Sequence, residues 1–265
     1  MTQADAGHVI RVSGPVAQIG AMPGARLGEV VYVGPHRLLG EIIRVAHDSC
    51  VAQIYESTAG LRAGDVVTGQ RESLAVELGP GLIGGVFDGI QRPLRVLAER
   101  SGAFIERGSS APALDRERLW AFEPSVSPGA HVMPGDVLGS VAEGAIRHRI
   151  VVPRGRAGSV TSLARGELAV TATVATIDEV PLTMLERWPV RQARPFTRRL
   201  DPTEPMVTGQ RVIDSLFPVA RGGSCTIPGG FGTGKTVTEQ SLAKWADADI
   251  VIYVGCGGRG NELSE

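Results

Sequence analysis

Apolar and polar side chains alternate in short runs through residues 8–69. HVIRVSGPVAQI (8–19), GEVVYVG (28–34), LLGEIIRVAHD (38–48) and CVAQIYES (50–57) are rich in Val and Ile, with Gly, Pro or Asp between them. A period of two at this spacing predicts short antiparallel strands, and GLRAGDVVTG (60–69) adds a further turn and strand. A small antiparallel barrel or sandwich is expected. A different texture begins at LGPGLIGGVFDGIQRPL (78–94), where four glycines precede Val86. Unusual dihedrals or close backbone packing are expected there, and QRPLRVLAER (91–100) reads as a short helix.

From about residue 110 to 186 the strand pattern returns in PGAHVMPGDVLGSV, HRIVVPRGRAGSV and GELAVTATVATID. This reads as an inserted β module. GDVLG and VVPRGRAGSV are similar to elements of lipoyl-carrier half-barrels, but no lysine occurs in residues 1–234, which excludes a lysine-linked cofactor there. The insertion is therefore read as structural. Residues 188–205 are rich in Pro and Arg and read as an extended connector. Beyond them the pattern becomes α/β. QRVIDSLFPVA (210–220) is helix-like, GSCTIPG (223–229) reads as a strand entering a loop, and GKTVTEQSLAKWADA (234–248) as a helix. DIVIYVG (249–255) is a continuous apolar run, as expected of a parallel strand buried on both faces.

Composition narrows the function. A chain of 265 residues, 43% hydrophobic, can bury one large core or two to three smaller ones. The net charge of −1 argues against a strongly basic nucleic-acid binder and against an acidic tail. Cys50, Cys225 and Cys256 lie far apart without C-x-x-C spacing, so neither a metal site nor a disulfide framework is expected, and a reducing cytoplasm fits. No signal peptide is read in MTQADAGHVIRV, and no apolar run approaches the roughly 18 residues that span a bilayer. Membrane contact would come through partners.

The candidate chemistry lies in PGGFGTGKTV (228–237). Gly229, Gly234, Lys235 and Thr236 satisfy G-x-x-x-x-G-K-[ST]. Glycines let the backbone curl so that successive amides point at phosphate oxygens, and the following helix N-terminus favours an anion. Lys235 would reach the β- and γ-phosphates, and the Thr236 hydroxyl would ligand Mg²⁺. Only Lys235 and Lys244 are lysines among 27 basic residues, which makes the placement of Lys235 more informative. The loop alone does not separate an ATPase from a GTPase or a kinase.

With these residues in view, IPGGFGTGKTVTEQSLAKWADADIVIYVGCG (227–257) resembles the catalytic A-subunit (alpha chain) of V-type rotary ATPases, including the archaeal and bacterial V/A-type enzymes. Phe231 inside the loop is characteristic of that protein. SGPVAQIGAMPGARLGEVVYVG, GEIIRVAHDSCVAQIYESTAGLRAGD and LGPGLIGGVFDGIQRPL are similar to the family's N-terminal barrel and the lead-in to its nucleotide domain. The β insertion, WPVRQARP and TGQRVIDSLFPVARGG complete the likeness over nearly all of the chain.

The resemblance implies an α+β multidomain fold. It comprises an N-terminal antiparallel β-barrel (1–70), a lead-in segment (71–109), an inserted β module (110–187) and the first part of a P-loop, RecA-like α/β domain (188–265). It implies ATP or ADP with Mg²⁺ as ligands, held by Gly229, Gly230, Phe231, Gly232, Thr233, Gly234, Lys235, Thr236 and Val237, with Arg259 nearby. The implied partners are a B-subunit that alternates with this one in a hexamer and supplies an arginine finger, and central and peripheral stalk subunits. No nucleic acid is implied, and membrane contact runs only through the ion-translocating sector, at the inner face of the plasma membrane.

Two departures qualify the activity. The family's G-C-G-E-R-G-N-E appears as GCGGRGNE, so Gly258 stands where a water-polarising glutamate is expected, followed by Arg259, Asn261 and Glu262. Glu262 is read as structural or interfacial, not as a substitute base. The chain is also expected to be a truncated version of the family's catalytic protein, without the Mg²⁺-associated aspartate. Asp178, Asp247 and Asp249 are poor stand-ins by position. The expected function is the ATP-hydrolysing or ATP-forming component of a rotary H⁺ or Na⁺ pump. A non-catalytic nucleotide-binding relative or inactive fragment is the alternative. A flagellar export ATPase or Rho-like translocase is disfavoured by Phe231 and the insertion.

Overall fold

The alternating Val and Ile of the first segment close a barrel. In the computed structural model, which describes residues 6–230 and 232–257, strands β1 (Ala6–Ser13), β2 (Val16–Gly20), β3 (Glu29–Val33), β4 (Leu38–Val45), β5 (Ser49–Ile54) and β6 (Val66–Ser73) join antiparallel in the order β1-β2-β5-β4-β3-β6. Every second residue points inward, so Val9, Ala17, Ile19, Val31, Val33, Leu38, Ile42, Ala52, Ile54 and Val67 form its core. Gly40 is set by close approach, since a Cβ there would lie 2.8 Å from Ile54 Cδ1 and 2.9 Å from the Gln53 carbonyl. Closure removes the free edges that an open sheet of this size would expose.

One charged residue breaks the alternation. Glu41 lies between the inward Gly40 and Ile42, yet is 1% exposed. Arg191 covers it, donating Nε–H to Oε1 and an Nη2–H to Oε2 at 2.7 Å each, and Tyr55 donates its hydroxyl to the same carboxylate. The Arg191 hydrogen bonds hold the Glu41 carboxyl below the ordinary glutamate range although burial opposes them. Burial, then the bond to Glu41, pushes the Tyr55 hydroxyl up to about 12.

After the barrel come β7 (Ala75–Leu78), the Gly-rich segment and α1 (Leu94–Ser101), which buries Leu97. Both expectations for the glycines hold. Gly81 and Gly84 have φ of 111° and 76°, and Gly79 packs where a Cβ would meet the Met184 carbonyl at 2.8 Å.

The inserted module is two sheets. Strands β8 (Leu119–Pro124), β9 (His131–Val132), β10 (Val137–Glu143), β11 (Ile146–Val151), β12 (Gly158–Leu163), β13 (Gly166–Ala169), β14 (Thr173–Ile177) and β15 (Val180–Thr183) form sheets ordered β11-β10-β8-β13 and β15-β14-β12-β9. Their inward residues share one core, including Trp120, Phe122, Leu138, Val141, Ile150, Val160, Val174 and Ile177. Strand β16 (Glu186–Pro189) then pairs antiparallel with β7 and buries Trp188. The connector expected over 188–205 is corrected here. Its first residues belong to a strand because Trp188 has an apolar site to fill. Residues 191–205 are exposed throughout.

The chain divides into two units after Ala193. The second holds a short ribbon of β17 (Pro205–Met206) and β18 (Val219–Ala220), with α2 (Arg211–Leu216) and α3 (Lys235–Trp245). Both helices fall within the stretches where the sequence pattern placed them, although the 210–220 stretch is helical only to Leu216 and ends in β18. The strands expected at 223–229 and 249–255 do not form among the described residues, and Ile252 and Val254 are 83% and 79% exposed. An apolar parallel strand is stable only with neighbours that pair its backbone and layers that cover its faces. Among the described residues no strand pairs with the 249–255 run, and none of its apolar side chains is buried.

Candidate functional site

The phosphate-loop pattern folds into a curl leading directly into α3. Residues 223–230 carry no regular structure, and the helix starts at Lys235 behind a Gly234 N-cap with φ of 82°. A left-handed cap without a side chain reverses the chain and leaves the first-turn amides of Lys235, Thr236 and Val237 uncapped. Their partial positive charge, with the dipole of an eleven-residue helix, makes this end receptive to an anion.

Lys235 occupies the inside of the curl. Its Nζ donates to the carbonyl of Gly230 at 3.0 Å and to that of Gly229. Thr233 donates its hydroxyl to the Gly230 carbonyl at 2.9 Å, pinning the two arms of the loop together. Space is tight on the inner side, where a Cβ at Gly229 would fall 2.4 Å from Thr233 Oγ1. The Thr238 amide and hydroxyl both donate to the Gly234 carbonyl at 3.0 Å, fixing the first helical turn. The Thr236 side chain is half-buried at that turn, and Val237 is exposed. The residues therefore fit a phosphate group. They combine backbone amides, an ammonium and a hydroxyl at one helix end, with glycine where a side chain would intrude.

Gly229, Gly230, Gly232, Thr233, Gly234, Lys235, Thr236 and Val237 thus gather around one curl. Phe231, Gly258, Arg259, Asn261 and Glu262 lie outside the described residues.

Sequence reading missed the groups that tie α2 and its lead-in to the far end of α3. Thr208, fully buried, donates its amide at 2.8 Å and its hydroxyl at 2.6 Å to Asp214, tying the segment ahead of α2 to the helix. Those bonds hold the Asp214 carboxyl below the ordinary aspartate range. Gly209 sits against the last turn of α3, where a Cβ would lie 2.8 Å from Trp245 Cβ. The Asp247 amide donates to the Val207 carbonyl at 2.8 Å, and Arg221 pairs with the Asp247 carboxylate. Turn T-G-Q (208–210) was the available signal, a polar residue and a glycine before a helix. Asp178, for its part, accepts the Ser159 amide at the β14–β15 turn.

A cavity of about 830 Å³ in the first unit contains none of these loop residues. Within it Arg92 pairs with Glu56 and Arg187 with Glu72. Among the described residues no helix is long and apolar enough to cross a membrane, and no cluster of three or more potential metal ligands occurs.

Comparison with known proteins adds the following. Three family models match consecutive stretches: the ATP synthase alpha/beta family beta-barrel domain at 9–69, the barrel-sandwich domain of the alpha/beta subunits at 111–191 and the family's nucleotide-binding domain at 209–265. A V-type ATP synthase alpha chain of Anaeromyxobacter dehalogenans (strain 2CP-C) is 56% identical over 261 residues, covering 98% of this chain and 45% of that protein. An A-type ATP synthase A-subunit of Methanospirillum hungatei JF-1 is 52% identical over 260 residues, 98% of this chain and 44% of its own length. The A-type ATP synthase A-subunit of Methanopyrus kandleri is 50% identical over 272 residues, 100% of this chain and 46% of its own length. The chain spans somewhat under half the length of the curated relatives it matches.

Proposed function

Because the chain belongs to the ATP synthase alpha/beta family and aligns along almost its whole length with V-type alpha chains and their A-type counterparts, we propose that it is the nucleotide-holding part of a rotary ATPase A-subunit. The observation carrying this reading is the curl of 229–234 at the head of α3, with the Lys235 ammonium inside it. In this reading the loop amides and Lys235 bind the β- and γ-phosphates of ATP or ADP. The bonds from Lys235 to the Gly229 and Gly230 carbonyls hold the ammonium in place until phosphate oxygens replace those acceptors. Thr236 would ligand Mg²⁺, and a bound Mg²⁺ supplies neutralisation of charge on the phosphates. Cleavage or formation of the γ-phosphoryl bond would be coupled to H⁺ or Na⁺ movement in the wider assembly. A neighbouring B-subunit would contribute an arginine to the transition state, and stalk subunits would carry the motion.

A second reading rests on one residue. Gly258 provides no carboxylate to orient water or accept its proton, and loss of a general base commonly costs about 10²- to 10⁴-fold in rate. The chain would then bind nucleotide without turning it over. Steady-state hydrolysis separates the two. The 265-residue chain alone is expected to stay at background, with or without Gly258→Glu. The same substitution in a chain extended to the length of the curated relatives and assembled with the B-subunit should raise hydrolysis by about 10²-fold or more. Turnover by the isolated chain on the order of 1 per second, abolished by Lys235→Ala, would refute the second reading.

A further inference from the structure

The inserted module carries a concentration of positive charge that nucleotide binding does not use. Residues 144–157, GAIRHRIVVPRGRA, hold four arginines and a histidine with no acidic residue, in a chain of net charge −1. Their placement follows from the fold. Strand β11 is the edge of its sheet, joined to β10 through the tight Gly144–Ala145 turn and flanked on its other side by no described strand. Alternation puts Ile150 into the core and aims His148 at the buried Glu143, 2.7 Å away. Arg147 and Arg149 therefore share the exposed face, roughly 6.6–7 Å apart along the strand. Arg147 is already engaged with Glu123 and Ser140. Arg149 has no partner among the described residues. Nor have Arg154 and Arg156, which a turn closed by the bond from the Arg156 amide to the Pro153 carbonyl holds just past the strand end.

Charged residues on an edge strand commonly guard against sheet-to-sheet aggregation. That accounts for Arg149 but not for Arg154 and Arg156, which stand beyond the strand where there is no edge to guard. We infer that β11 and the turn after it form a docking site for an acidic, extended segment of a partner protein, added as a fifth strand beside β11. Two features select a polypeptide. The strand edge offers a row of backbone donors and acceptors that only another backbone can pair, and a strand's two-residue period brings every second side chain of the partner to the arginine face. A phosphodiester chain or an anionic membrane would use the charges and leave that row unpaired.

Fluorescence anisotropy tests this on the 265-residue chain. The probe is a fluorescein-labelled peptide of alternating glutamate and valine, about eight residues long to match a strand. Binding is expected, weakened by added salt, and reduced at least about tenfold in the triple variant Arg149→Gln, Arg154→Gln, Arg156→Gln. All three positions are exposed, so the fold should be unaffected, which circular dichroism of the variant checks. The same peptide N-methylated at alternate backbone nitrogens keeps its charges but cannot pair with the edge, and should bind at least about tenfold more weakly. Absent binding of the plain peptide, equal binding by the triple variant or equal binding of the N-methylated peptide would each overturn the inference. So would a single-stranded oligonucleotide or a phosphatidylglycerol vesicle that binds through the same arginines more tightly than the peptide. None of these outcomes depends on the phosphate loop, so failure here leaves the nucleotide reading untouched.

Discussion

Glu41 shows how one side chain can be invisible in sequence and central in the fold. In LLGEIIRVAHD it reads as an ordinary outward strand position, and its arginine partner lies 150 residues away. No local pattern encodes that contact. Its pH dependence has a definite sign. Because Arg191 holds the carboxyl below its ordinary range in the folded chain, the stabilisation is complete above the ordinary carboxylate range and is lost as pH falls through the lowered value. Thermal denaturation across acidic pH should show Glu41→Gln less stable than the parent near neutrality by several degrees, the two converging as pH drops. Arg191→Leu, which leaves Glu41 buried without its cation, should be worse than Glu41→Gln near neutrality. Equal curves for parent and Glu41→Gln would show that the pair contributes nothing. The loop residues were more legible. The spacing of Gly229, Gly234, Lys235 and Thr236 is a chemical requirement in itself, whereas the bonds of Thr208 to Asp214 became visible only with coordinates.

Elements were legible where their stabilisation is local and less so where it is not. The barrel strands alternate because one face is core, and α3 follows its glycine cap. The runs 223–229 and 249–255 carry equally strong strand signals yet remain unpaired among the described residues. Their hydrogen bonds must come from neighbours distant in sequence, so composition announces a preference that pairing has to complete. Within the barrel the tolerance is narrow. Gly40→Ala would place a methyl group against Ile54 and the Gln53 carbonyl, and overpacking of this kind costs about 1–3 kcal/mol. A urea midpoint lowered accordingly is expected, and an unchanged midpoint would mean that β4 and β5 can separate freely at this point.

At the scale of the whole molecule, the division after Ala193 and the exposure of 191–205 predict where the chain is first cut. Brief trypsin treatment should cleave after Arg198 or Arg199 before any arginine of the barrel, since Pro195 blocks cleavage after Arg194, leaving residues 6–73 as one resistant block. Early cuts scattered through 8–69 would contradict a closed barrel. The central claim, that this chain holds a nucleotide by the curl ahead of α3, is tested most directly by calorimetric titration with Mg-ATP. The parent chain should bind, and Lys235→Ala should bind about tenfold to a hundredfold more weakly, the effect of losing one charge-assisted contact of roughly 1.5–3 kcal/mol. Equal affinity in parent and variant would place the nucleotide elsewhere and contradict the account.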